Sequence, residues 1–127
     1  VSLDGERLQQ TALDVARALP GVTEGHPFTK HLLVIKVAGR VFLIVTEDPD
    51  KPIITVKADP DHGAALIRDH EGIQRGRYFD KDHWVSVSPG RSITAGLVQD
   101  LVQDSYDLVA DQLPGRQRDE LRRQEGV

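Results

Sequence analysis

The sequence predicts an α+β domain, an antiparallel β-sheet meander packed on one face by N- and C-terminal helices. Three observations carry this. Apolar residues recur at helical spacing near both ends of the chain, over residues 5–19 and 95–113. Between them lie strand-like stretches rich in Val, Ile, Leu and Thr. The connections between successive strands are too short for parallel crossovers, so the pairing reads as antiparallel. At 127 residues the chain reads as one domain over residues 1–115, large enough to bury a core, with a charged tail at 116–127.

The elements follow in order. Leu8, Ala12, Val15 and Leu19 form one helical stripe, Asp4 can cap its start, and Pro20-Gly21 stops it. Residues 22–28 are a weak strand. In 32–38, Leu33, Ile35 and Val37 face one way and Leu32, Val34 and Lys36 the other. Gly39-Arg40 can turn tightly into the strand 41–46. Glu47-Asp48-Pro49-Asp50 is a polar turn into 52–58, where Ile54, Val56 and Ala58 oppose Ile53, Thr55 and Lys57. Asp59-Pro60 opens a second helix running to about His70, because proline suits the first helical position. Residues 73–83 read as an irregular basic loop, and Trp84–Ser88 as the last strand. Thr94 can cap the final helix, which Pro114-Gly115 ends. Residues 116–127 hold few apolar groups and predict a frayed helix or a disordered tail. The expected order is α-β4-α-β-α, with the helices on one sheet face.

Composition narrows the function classes. The net charge of −4 disfavours a uniformly basic nucleic-acid binder, but its distribution is uneven. Residues 59–72 and 94–127, mainly helical, are net acidic. Residues 21–58 and 73–93, mainly strands and loops, are net basic. Such a domain can present one positive face while acidic overall. The absence of cysteine excludes disulfides, thiolate zinc sites and a cysteine nucleophile, and fits a cytoplasmic protein. The longest apolar run, Val41 to Val45, is far short of a membrane span, so no membrane partner is expected. No phosphate-binding or nucleophile-elbow motif is present, and the five histidines lack metal-ligand spacing. The expectation is a non-enzymatic binding protein without cofactor, a monomer in preference to an oligomer.

Candidate contact residues are the bases of the strands and loops. Lys36, Arg40 and Lys57 lie on or beside strands, and Arg75, Arg77 and Lys81 lie in the basic loop. All six could pair with phosphates, and their structural reading is simple solvation. His83 can donate to phosphate or satisfy a backbone carbonyl. Trp84, the single tryptophan, can stack on a base or fill the core. Tyr106 shares a helix face with Val102, Val109 and Leu113, which favours a core position with its hydroxyl at the rim.

Four phrases, in order, resemble the MmcQ/YjbR family: Leu19-Pro20-Gly21-Val22-Thr23-Glu24 with Pro27-Phe28; Ile35-Lys36-Val37-Ala38-Gly39-Arg40-Val41-Phe42; Lys81-Asp82-His83-Trp84-Val85-Ser86-Val87; and Ser105-Tyr106-Asp107-Leu108-Val109 with Leu113-Pro114. Thr29 stands where many members have glycine, and Arg40 where lysine is common. The resemblance implies a frataxin-like (CyaY-like) α/β sandwich in a small cytoplasmic bacterial protein. It also implies DNA binding of a double-wing type. The iron association of frataxins does not carry over, since the first helix offers only Asp4, Glu6 and Asp14 among bases. Two functional readings follow. One is DNA binding through a basic sheet face and the 75–81 loop, with His83 or Trp84 adding local contacts. The other is a small-molecule binder holding a planar metabolite in an aromatic pocket of Trp84, Tyr106 or Phe28.

Overall fold

The computed structural model describes residues 2–48, 50–76 and 78–125. Among these, helix α1 (Gly5–Arg17) leads into strands β1 (Val22–Gly25), β2 (Leu32–Val37), β3 (Arg40–Thr46) and β4 (Ile54–Lys57). Helix α2 (Pro60–Asp69), strands β5 (Ile73–Arg75) and β6 (Trp84–Val87), and helices α3 (Ala95–Asp111) and α4 (Gly115–Glu125) follow. All strand pairs are antiparallel, and the sheet runs β1-β2-β3-β4-β6-β5.

The predicted α+β class holds, with two differences in element count. Part of the expected 73–83 loop is β5, which pairs with β6 as an edge strand. With three residues and Ile73 as its single apolar group, β5 leaves no alternation to detect. Where a frayed helix or disordered tail is expected, α4 forms, and it buries Leu121. That one leucine docks at Gly21: a Cβ there would lie 2.4 Å from Leu121 Cδ2. Sequence periodicity does not reveal a helix held by a single apolar contact.

The helix caps follow the sequence. Asp4 Oδ1 accepts from Arg7 N–H at 2.8 Å, and Thr94 Oγ1 accepts from Leu97 N–H at 3.3 Å. Helix α1 turns Leu8, Ala12 and Ala16 fully inward, while Val15 and Leu19 stay half-buried at the margin. Gln9 crosses to the sheet, donating to the carbonyls of Thr46 (2.5 Å) and Ile53 (3.0 Å). Helices α1 and α3 pack together over β3 and β4, and α2 lies against β5. The core sits between this helix layer and one sheet face. It contains Leu33, Ile35, Val37, Leu43, Val45, Ile54, Val56, Val85 and Val87.

A β-bulge breaks the β2–β3 register between Ile35 and Lys36. Ile35 pairs with Leu43 and Lys36 with Val41, which leaves Phe42 unpaired. Phe42 and Leu43 therefore both enter the core, and Phe42 meets Tyr106 edge to face with ring centroids 5.3 Å apart. The bulge also opens the β3–β4 ladder. Counting in steps of two from the Thr46 N–H to Ile53 O bond puts Phe42 opposite Lys57 as a bonded pair. In place of that bond stands the fully buried Ser105 hydroxyl. It accepts from Lys57 N–H at 2.9 Å and donates to Phe42 O at 2.6 Å.

The β2–β3 hairpin turns at Ala38-Gly39, one residue earlier than the expected Gly39-Arg40, and Val37 pairs with Arg40. Both turn residues have positive φ, +49° at Ala38 and +79° at Gly39, as the primed two-residue turns require. Glycine adopts this without penalty, whereas alanine adopts it at a cost of roughly 1–2 kcal/mol. Replacing exposed Ala38 by asparagine, which tolerates positive φ, should raise the unfolding free energy by about 0.5–1 kcal/mol. Urea unfolding checks this; an unchanged or lowered midpoint would contradict a strained Ala38.

Candidate nucleic-acid interface

The sheet face away from the helices is not open. Val34, Ile44, Thr55 and Ser86 lie on it and are buried. Tyr78 and Phe79 lie over this face. Tyr78 and Thr46 share a hydrogen bond between hydroxyls at 2.8 Å, although Thr46 is at the far end of β3. Beneath, Thr55 and Ser86 hydrogen-bond to each other at 2.9 Å. The expected exposed basic face is thus a covered layer. The bases belong to the rim of the sheet.

Strand register decides which rim. Val37 and Arg40 close the β2–β3 turn, Lys57 ends β4 opposite Trp84 at the start of β6, and Arg75 ends β5 opposite Val85. In an antiparallel sheet these positions share one end. Arg40, Lys57, Arg75 and Trp84 therefore line up along it, with neighbouring strands about 5 Å apart. Lys81 and His83 join from the β5–β6 connection, and Lys36 sits one step in from the end. Arg77 lies outside the described residues.

Local partners tune each group. Arg40 and Lys81 are exposed. Lys57 does not stay on the face opposite the core, as strand alternation implies. Its ammonium donates to Gln112 Oε1 at 3.1 Å, at the C-cap of α3, where the helix's free carbonyls favour a cation. Arg75 donates to Lys81 O at 3.3 Å and lies 3.8 Å from Asp82 Oδ1. His83 Nδ1 is hydrogen-bonded to Asp80 Oδ2 at 2.7 Å, a carboxylate in place of the expected backbone carbonyl. The Asp82 backbone N–H and the His83 ring together hold the Asp80 carboxyl below its usual range. Lys36 is half-buried and borders a shallow hollow with Thr23, His26 and Pro27.

Trp84 takes neither of its two sequence readings fully. It is half-buried and outside the core, with its ring 4.7 Å from that of Phe79 at a 39° tilt. Gly76 permits this arrangement. Its N–H donates to Trp84 O at 2.7 Å, and a Cβ at 76 would lie 2.6 Å from Trp84 Cβ. Tyr78 and Phe79 escaped the sequence reading. Two adjacent aromatics inside a basic loop were the available signal. The proposed aromatic pocket does not assemble: Tyr106 is in the core on the helix side, Trp84 is on the opposite face, and Phe28 is exposed beyond β1.

The flank nearest the helices is acidic. Asp59, His62, Asp104, Asp107 and Asp111 line one hollow at the α2–α3 junction. Partial burial pushes the Asp104 carboxyl up, and Asp100 and Asp107 add to the shift against the opposing pull of His62. No group of three histidine, aspartate or glutamate side chains among the described residues could hold a metal ion. No helix among them is long and apolar enough to cross a membrane.

A sequence model of the YjbR family matches residues 17–108, most of the chain. The chain belongs to the YjbR family. This YjbR-family chain is similar to YbdF of Escherichia coli O157:H7, with 34% identity over 120 residues covering 94% of this chain and 98% of that protein. It is also similar to YjbR of Escherichia coli strain K12, with 26% identity over 106 residues covering 84% and 90% of the two chains. Among solved structures, Deinococcus radiodurans protein DR2400 superposes with a TM-score of 0.78 at 31% identity, covering 85% of this chain and 83% of that one. A Pseudomonas syringae protein shares the fold, with a TM-score of 0.66 at 21% identity and coverage of 78% and 96%. The family match begins at the end of α1 and stops within α3, so it contains every candidate contact residue.

Proposed function

We propose that this YjbR-family domain is a non-enzymatic DNA-binding module, and that the basic end of its sheet contacts the phosphate backbone. The observation that carries the reading is the strand register, which aligns Arg40, Lys57 and Arg75 along one end. Lys81 and His83 are added from the adjoining loop. Cations spaced along a ridge neutralise successive phosphates and release counterions. The acidic α2–α3 flank disfavours phosphate on the helix side and so orients the strand toward the loop side. Asp80 holds the His83 ring in place, and Asp82 offsets part of the charge of Arg75. Affinity therefore rests most on Arg40 and Lys81.

Fluorescence anisotropy with duplex and single-stranded oligonucleotides at rising salt tests the proposal. Binding should weaken linearly on a log–log plot, with a slope near −0.9 per duplex phosphate contact. Arg40→Glu and Lys81→Glu should each lower affinity by about tenfold and flatten the slope by about one. Absence of binding at low salt would defeat the reading, as would affinity indifferent to both reversals.

A further inference from the structure

We propose that the cleft between α3 and α4 binds a small zwitterion, a molecule of α-amino-acid size carrying one ammonium and one carboxylate group. The cleft has a volume of about 280 Å³. Its walls carry opposite charge. Helix α3 contributes Asp107 and Asp111, and α4 contributes Arg118 and Arg122. A spacing of four puts each pair on one face of its own helix. Tyr106 and Leu121 supply apolar lining, and both are buried.

Two features separate this cleft from an ordinary charged surface. First, Arg118 Nε is buried and has no hydrogen-bond partner. A buried guanidinium N–H without an acceptor is costly, and a carboxylate entering the cleft would relieve it once a shift of the Arg118 side chain opens Nε to the ligand. Second, no ion pair among the described residues joins the aspartates of α3 to the arginines of α4. Gln103 Nε2 donates to Asp107 Oδ1 at 3.1 Å, but that bond runs along α3 and does not close the cleft. Leu121, seated at Gly21, holds α4 at a fixed distance from the rest of the fold.

The charge pattern selects the ligand. A simple anion would meet the aspartates, and a simple cation the arginines. A molecule with both groups satisfies each wall, its carboxylate on the planar guanidinium and its ammonium on the carboxylates. The volume, about 280 Å³, falls just below the roughly 300–1,000 Å³ of drug-sized ligand sites, which suits a molecule of amino-acid size.

The test is titration calorimetry with amide NMR on the whole chain. The probes are the standard L-amino acids, offered singly, with acetate and methylammonium as controls bearing one charge each. At least one amino acid should bind and move the amide signals of Ala110 and Leu121. Both controls should bind at least about tenfold more weakly. Arg118→Gln and, separately, Asp111→Asn should each weaken binding by about tenfold. Asp111 is exposed, so its substitution keeps the test valid if the Arg118 variant unfolds. The proposal is overturned if no amino acid moves the cleft signals at about 10 mM. It is equally overturned if acetate binds as tightly as the best amino acid, or if a folded variant binds as the native chain does.

Discussion

Phe42→Ala should destabilise the fold by about 3–5 kcal/mol, the range for removing a fully buried aromatic side chain. The ring is 0% exposed and packs edge to face on Tyr106, so its loss removes both transferred area and a shaped aromatic contact. The position is demanding because the bulge delivers Phe42 and Leu43 to the core side by side. A rigid sheet and a long helix bound the resulting cavity, so little collapse can refill it. Since whole domains of this size are stable by about 5–15 kcal/mol, the variant should sit near the threshold of folding. Chemical denaturation gives the value directly; a loss under about 1.5 kcal/mol would mean that the bulged residue is not a principal core element.

Ser105→Ala should cost about 2–4 kcal/mol, although it removes a single oxygen. The hydroxyl satisfies two backbone groups, Lys57 N–H and Phe42 O, and a buried group left unpaired costs roughly 1–3 kcal/mol. The two strands cannot restore their own bond, because the bulge has moved Phe42 off the ladder. Urea unfolding should show a lowered midpoint at unchanged m-value. A loss below about 0.5 kcal/mol would show that the strands close or water enters. Ser105 and Phe42 touch, so their double substitution should be non-additive by at least about 0.5 kcal/mol. The two effects share a cause: one extra residue in β3 turns an aromatic inward and calls for a hydroxyl to repair the ladder.

Much of this architecture was legible in the residues. The stripes of α1 and α3, the caps at Asp4 and Thr94, and the alternation of β2 and β4 follow from local spacing and side-chain chemistry. Tyr106 also fell as read: it is 2% exposed, and its hydroxyl donates to Pro20 O at 2.6 Å. The elements that escaped are those held by a few contacts distant in sequence. Strand β5 exists because β6 pairs with it, and α4 because Leu121 finds Gly21. Ser105 reads as one more position on an apolar helix face until the strand beneath it is known to be bulged.

The candidate contact residues divide the same way. The sequence by itself determined which side chains are basic and that they fall in strands and loops, since charge is a property of each residue. Only the tertiary structure decided that the presumed open face is closed by Tyr78 and Phe79, and that the bases gather along one end. The physical reason is that alternation specifies the two faces of a strand but not what covers them. Strand order and register, fixed by pairing between distant segments, then set which residues become neighbours.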